Sequence, residues 1–80
     1  MDVFNQLIEP SLKCFEKVIE EEILHEYDII AITTIINNME QWLARGDITF
    51  IFIKRVKRII HAFTSELFSR TTCNLASGAN

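Results

Sequence analysis

Eighty residues, 49% of them hydrophobic, with a net charge of −3 make one small domain, which can bury only about 60% of the surface its unfolded chain exposes. No apolar run nears the roughly 18 residues that cross a bilayer. No charged-then-apolar leader opens the chain, and Cys14 and Cys73 have neither disulfide-framework nor zinc-site spacing, so we expect a cytoplasmic protein with reduced thiols, no membrane contact, no metal and no cofactor.

At the N-terminus Asp2 can cap a first turn in which Phe4, Leu7 and Ile8 share a side, and Pro10 then interrupts. Proline suits the first position of a helix, so the pattern predicts a short N-terminal turn over 2–8 and a helix over about 10–26. Positions 4, 8, 12, 15 and 19 also keep helical phase across Pro10, which leaves one kinked helix as the alternative. Leu12, Phe15, Val18, Ile19 and Ile23 form the stripe expected to be buried. Glu22 lies near that stripe, a position that marks the end of the covered region or a polar contact across an interface, and less often a catalytic acid.

The stripe loses phase through EEEILHEYD, and Asp28 is placed to cap a new helix. A corner is expected near residues 26–28, against the alternative of one helix from Pro10 to Arg45. The second helix, about 28–45, carries the clearest repeat: Ile29, Ile32, Ile36, Met39 and Leu43 alternate in steps of three and four, the spacing of a coiled-coil seam. Ile35 and Trp42 widen that face, while Asn37, Asn38 and Gln41 point outward. Gly46 suits a left-handed cap, Asp47 can cap the next helix, and so short a connection makes the second and third helices antiparallel.

The third helix, about 48–70, begins with ITFIFI, a run rich enough in β-branched and aromatic residues for a strand. Helical phase decides otherwise, because Phe52, Val56, Ile59, Ile60, Phe63 and Leu67 fall on one arc. Lys54, Lys57, Arg58 and His61 point away from that arc, with Arg55 at its margin. Phe50 and Phe68 project with the cations, which makes this outer side a candidate contact surface. The plainer reading takes precedence over that one: it puts Phe50 before the regular helix, or packed on a neighbour, and Phe68 at a frayed end, since apolar side chains exposed singly need no explanation. Residues 71–80, TTCNLASGAN, lack an apolar stripe and are expected to form a flexible tail, leaving 1–70 as the helical domain.

Charge divides along the chain. Residues 1–28 hold eight acids against Lys13 and Lys17, a balance of −6, and residues 29–80 hold six bases against Glu40, Asp47 and Glu66, a balance of +3. The first and third helices can therefore pair within a chain, pair between copies, or leave a basic face for an acidic partner.

Nothing in the spacing signals chemistry. His25-Glu26 lacks the second histidine of a zinc-protease helix, since Ile29 occupies that place. The two glycines, Gly46 and Gly78, make no phosphate loop. Ser65 lies one turn from His61 without an orienting acid, and Arg45-Gly46-Asp47 is accounted for as a helix end and its caps. A site at a dimer seam built from Glu22, Arg55 and Arg58 is the enzyme alternative.

The sequence thus predicts an all-α, antiparallel three-helix bundle completed by dimerisation, because three apolar-sided helices exceed what so short a chain can cover. The expected function is non-catalytic: an adaptor, inhibitor or chaperone-like regulatory factor that binds a protein partner and itself. Ile29, Ile32, Ile35, Ile36, Met39, Trp42, Leu43, Phe50 and Phe68 are the expected interface. Nucleic-acid binding through Lys54, Arg55, Lys57, Arg58 and His61 is the alternative; against it stand the acidic total and ITFIFI, which occupies the start of any recognition helix where base-reading polar residues are needed.

Overall fold

A computed structural model of the chain describes residues 3–78, with side chains as far as Thr71. The described residues form three α-helices and no strand: α1 (Val3–Glu20), α2 (Ile29–Arg45) and α3 (Phe50–Gly78), with a 3-10 turn at Leu24–Glu26. The expected Asp2 cap lies outside the described residues.

The first helix corrects the expectation of a break at Pro10. α1 runs through the proline without interruption. Ile8 and Leu12, one on each side of it, are both buried, and that shared face outweighs the lost hydrogen bond to the Gln6 carbonyl, which belongs to an exposed residue.

The second correction concerns the corner, which begins at Glu21 and not at 26–28. The Ile23 N–H bonds to the Val18 carbonyl at 3.2 Å and the Glu22 N–H to the Ile19 carbonyl at 3.1 Å, with Glu22 at φ 56°. This pair of bonds around one left-handed residue is a Schellman cap, here made by glutamate where glycine is usual. No glycine or proline advertises it in the sequence. The cap turns Leu24 into the core, and Asp28 then starts α2 by accepting the Ala31 N–H at 2.7 Å. At its other end α2 stops at Gly46, φ 83°, where a side chain would be strained.

α3 begins two residues later than the spacing predicts. Ile48 is buried before the helix starts, and the Ile53 N–H closes the first turn on the Thr49 carbonyl at 2.8 Å. The helix continues to Gly78, past the predicted end at Arg70.

α3 packs against both other helices and supplies the centre of the core. Val56, Ile59 and Phe63 on α3 meet Ile8, Leu12 and Val18 on α1 and Ile32 and Met39 on α2. Asn5 at the start of α1 reaches Thr49, and Leu24 after its end reaches Arg70, so α1 and α3 run in the same direction with α2 returning between their ends. Ile32 and Met39 of the coiled-coil-like repeat of α2 face this core.

Candidate interaction surface

Between α1 and α3 the charges are already matched. Arg55 donates from Nε and Nη2 to the two oxygens of Glu16, at 2.9 and 2.7 Å, and from Nη1 to Glu9 at 3.0 Å. Its guanidinium also lies 5.3 Å from the Phe52 ring centre. Charge-assisted bidentate bonds of this kind are the strong class, and they have opposite effects on the two partners. The hydrogen bond from Arg55 holds the Glu16 carboxyl below its ordinary range, reinforced by the charges of Arg55 and Arg58 and opposed by burial. The bond to Glu16, then the bonds to Glu9, keep Arg55 protonated more firmly than usual, against the effect of burial. Arg55 is thus spent inside the bundle.

The other predicted cations remain outside. Lys54, Lys57, Arg58 and His61 are all exposed. Arg58 borders a cleft of about 190 Å³ that it shares with Glu16 and Glu20, which leaves Lys54 and Lys57 without a carboxylate partner among the described residues. Lys54 instead places its ammonium 5.2 Å from the centre of the Phe50 ring, within cation–π reach.

Phe50 and Phe68 are 70% and 71% exposed. Phe50 opens α3 and Phe68 lies well inside it, so neither a pre-helical position nor a frayed end explains them. Both stand on the side opposite Val56, Ile59 and Phe63, separated by five turns and about 27 Å. Ile51, also exposed, and half-buried Phe52 border an open groove of about 420 Å³ between the starts of α1 and α3, completed by Asn5, Gln6, Glu9 and Thr49.

The α2 members of the predicted interface fare differently. Ile32 and Met39 have no exposed surface, and Ile35, Ile36, Trp42 and Leu43 are half-buried against the same core. Trp42 is met edge-on by Phe4, at 6.4 Å between ring centres, and Phe4 is covered in turn by the Arg45 guanidinium at 4.0 Å. Ile32 and Met39, the middle of the α2 repeat, are hence covered within the chain. Ile29 alone of that group is exposed.

Sequence reasoning missed Val3, Leu7, Ile30 and Ile51, all exposed. Leu7 was grouped with Phe4 and Ile8, yet only Ile8 is buried. The signal was present in the spacing, because Val3 and Leu7 stand one turn apart, on a side that Ile8 and Leu12 do not share.

Asp47 was expected to cap α3 and does not. Its carboxylate takes both donors of Arg45, at 3.0 and 2.9 Å, and the hydrogen bond from Arg45 lowers its pKa. The Thr49 N–H is satisfied instead by Oδ1 of buried Asn5 at 3.0 Å, while Nδ2 of Asn5 donates to the Asp47 carbonyl at 3.5 Å. An arriving helix supplies the cap.

Comparison with family models, with curated proteins and with solved structures finds no match for this chain. The surface must therefore be judged on its own chemistry. His25, His61 and Ser65 are exposed and belong to no cleft described above, Glu22 sits in the α1–α2 corner, and Arg55 is tied to Glu9 and Glu16. Among the described residues, no three His, Cys, Asp or Glu side chains gather as a metal ion requires, and no helix is long and apolar enough to cross a membrane.

Proposed function

We propose that this chain is a small non-catalytic helical interaction module of the cytoplasm, working as a homo-oligomer and binding a protein partner as an adaptor, inhibitor or chaperone-like regulatory factor. The observation that carries the reading is the pairing of Phe50 and Phe68, each about seven-tenths exposed, on one side of a single rigid helix. Water-facing rings cost free energy that a partner recovers, at roughly 25 cal/mol per Å² of apolar surface covered. Lys54 and Lys57 between them add orientation more than affinity.

Light scattering over a concentration series tests this on the wild-type chain and on the double variant Phe50→Ser/Phe68→Ser. Association of the wild type, lost in a variant that keeps its denaturation midpoint, supports the proposal. A wild type that stays monomeric, and whose binding properties the double substitution leaves untouched, overturns it.

The outward placement of Lys54, Lys57, Arg58 and His61 favours one second reading, nucleic-acid binding along the same side of α3. The commitment of Arg55 to Glu9 and Glu16 reduces the cations available to it. Phosphate binding would show as an affinity for an oligonucleotide that falls steeply with salt, whereas binding anchored by Phe50 and Phe68 would vary little.

A further inference from the structure

We propose that the outer face of α3 docks the α1–α2 corner of a second copy of this chain, head to tail. The inference rests on the interaction-module reading and names the partner. The two surfaces are counterparts. On α3, Phe50, Lys54, Lys57 and His61 share one exposed side, and the two lysines are unmatched by carboxylates among the described residues. At the corner Glu21, Glu22, Glu26 and Asp28 are exposed, residues 20–28 contain no lysine or arginine, and Ile29 and Ile30 stand exposed beside the acids. Lys17 holds Glu21 loosely at 3.9 Å and the Asp28 carboxylate caps α2, which leaves Glu22 and Glu26 the freest of the four.

Within one chain these surfaces cannot meet. Arg70 fastens the corner to the far part of α3 by donating to the Leu24 carbonyl at 3.0 Å and to the Tyr27 carbonyl. Lys54 lies sixteen residues earlier, about 24 Å back along the helix axis. Between copies, acid meets base while Ile29 and Ile30 meet Phe50. In the head-to-tail arrangement the face of one copy meets the corner of the next without a reciprocal contact, so the interface is heterologous, each added copy leaves one corner and one face open, and growth continues unless the rotation closes a ring. The half-buried repeat of α2 is not the seam of such an assembly.

Sedimentation velocity over a concentration series at low and high salt tests the arrangement. The weight-average mass should climb past that of a dimer at low salt and fall back at high salt. The face-reversed variant Lys54→Glu/Lys57→Glu and the corner-reversed variant Glu22→Lys/Glu26→Lys should each associate at least about tenfold more weakly. An equimolar mixture should recover assembly, because each variant then carries the complement of the other. All four positions are exposed, and circular dichroism verifies that both variants fold. The proposal is overturned by a variant that associates like the wild type, by a mixture that stays dissociated, by association that salt leaves unchanged, or by assembly that stops at a dimer. A monomeric wild type that binds a foreign protein through Phe50 and Phe68 overturns the head-to-tail contact but leaves the interaction module standing. One that binds only an oligonucleotide overturns both.

Discussion

Arg55 on α3 grips Glu16 on α1 with two parallel hydrogen bonds, at 2.9 and 2.7 Å, while its remaining nitrogen holds Glu9. With side chains 23% and 28% exposed, the pair is shielded enough to exceed the yield of an ordinary surface ion pair. Arg55→Met should lower unfolding free energy by about 1–3 kcal/mol. Arg55→Lys keeps the charge but loses the fork that serves two carboxylates, and should lose about 1 kcal/mol. Urea denaturation of the three proteins checks the order, and equal stability of Arg55→Met and wild type would refute it.

The same contact sets a pH dependence. The Glu16 pKa is lowered on folding, mainly by the hydrogen bond from Arg55, so its contribution is complete above the ordinary value of 4.5 and is lost as pH falls through the depressed one. Wild-type stability should fall across that acid range more steeply than the stability of Arg55→Met. Parallel pH profiles of the two proteins would show that Glu16 is not the group concerned.

Glu22 occupies a left-handed conformation, φ 56°, that costs a non-glycine residue about 1–2 kcal/mol. Glu22→Gly should therefore raise stability by about 1 kcal/mol, less the added freedom of glycine in the unfolded chain. Thermal melts would show a rise of several degrees. A fall would mean that the Glu22 side chain contributes more than its backbone costs.

Asn5 is buried, and it satisfies both the Thr49 N–H and the Asp47 carbonyl. Asn5→Leu removes the side-chain partner of the Thr49 N–H and the Asp47 carbonyl, groups only partly shielded from water, and should cost about 1–2 kcal/mol. Amide exchange at Thr49 should accelerate before that of the α3 interior, a sign that the cap itself has failed.

Met39 lies in the seam between α2 and α3 with no exposed surface. Met39→Ala should destabilise the chain by about 2–5 kcal/mol, by the same amount at every protein concentration, because the seam is intramolecular. A loss that diminishes on concentrating the protein would place Met39 between copies instead.

These contacts were unequally legible in the sequence. Asp28 and Gly46 act at the helix ends where their residue types place them, since a capping carboxylate and a left-handed glycine need only their own neighbours. Glu22 gave no such sign, because glutamate has no preference for that conformation, which here accompanies the burial of Leu24. Phe50 and Phe68 were placed outward by helical phase alone, and they are exposed. In the α2 repeat, Ile32 and Met39 are buried in the core of their own chain: spacing reports that a face is covered, but not by which helix.

Periodicity and helix-end chemistry, which act over a few residues, determined that this chain is all-helical, that α2 and α3 are joined by a tight connection at Gly46, and that cations and rings share the outer side of α3. Contacts between residues some forty positions apart decided the rest. Only the packed structure shows Arg55 withdrawn from the basic face by Glu9 and Glu16, Asn5 capping a helix it does not belong to, and Pro10 carried within α1. Each of these depends on which helix arrives alongside, and that choice is made by burial of the whole core at once.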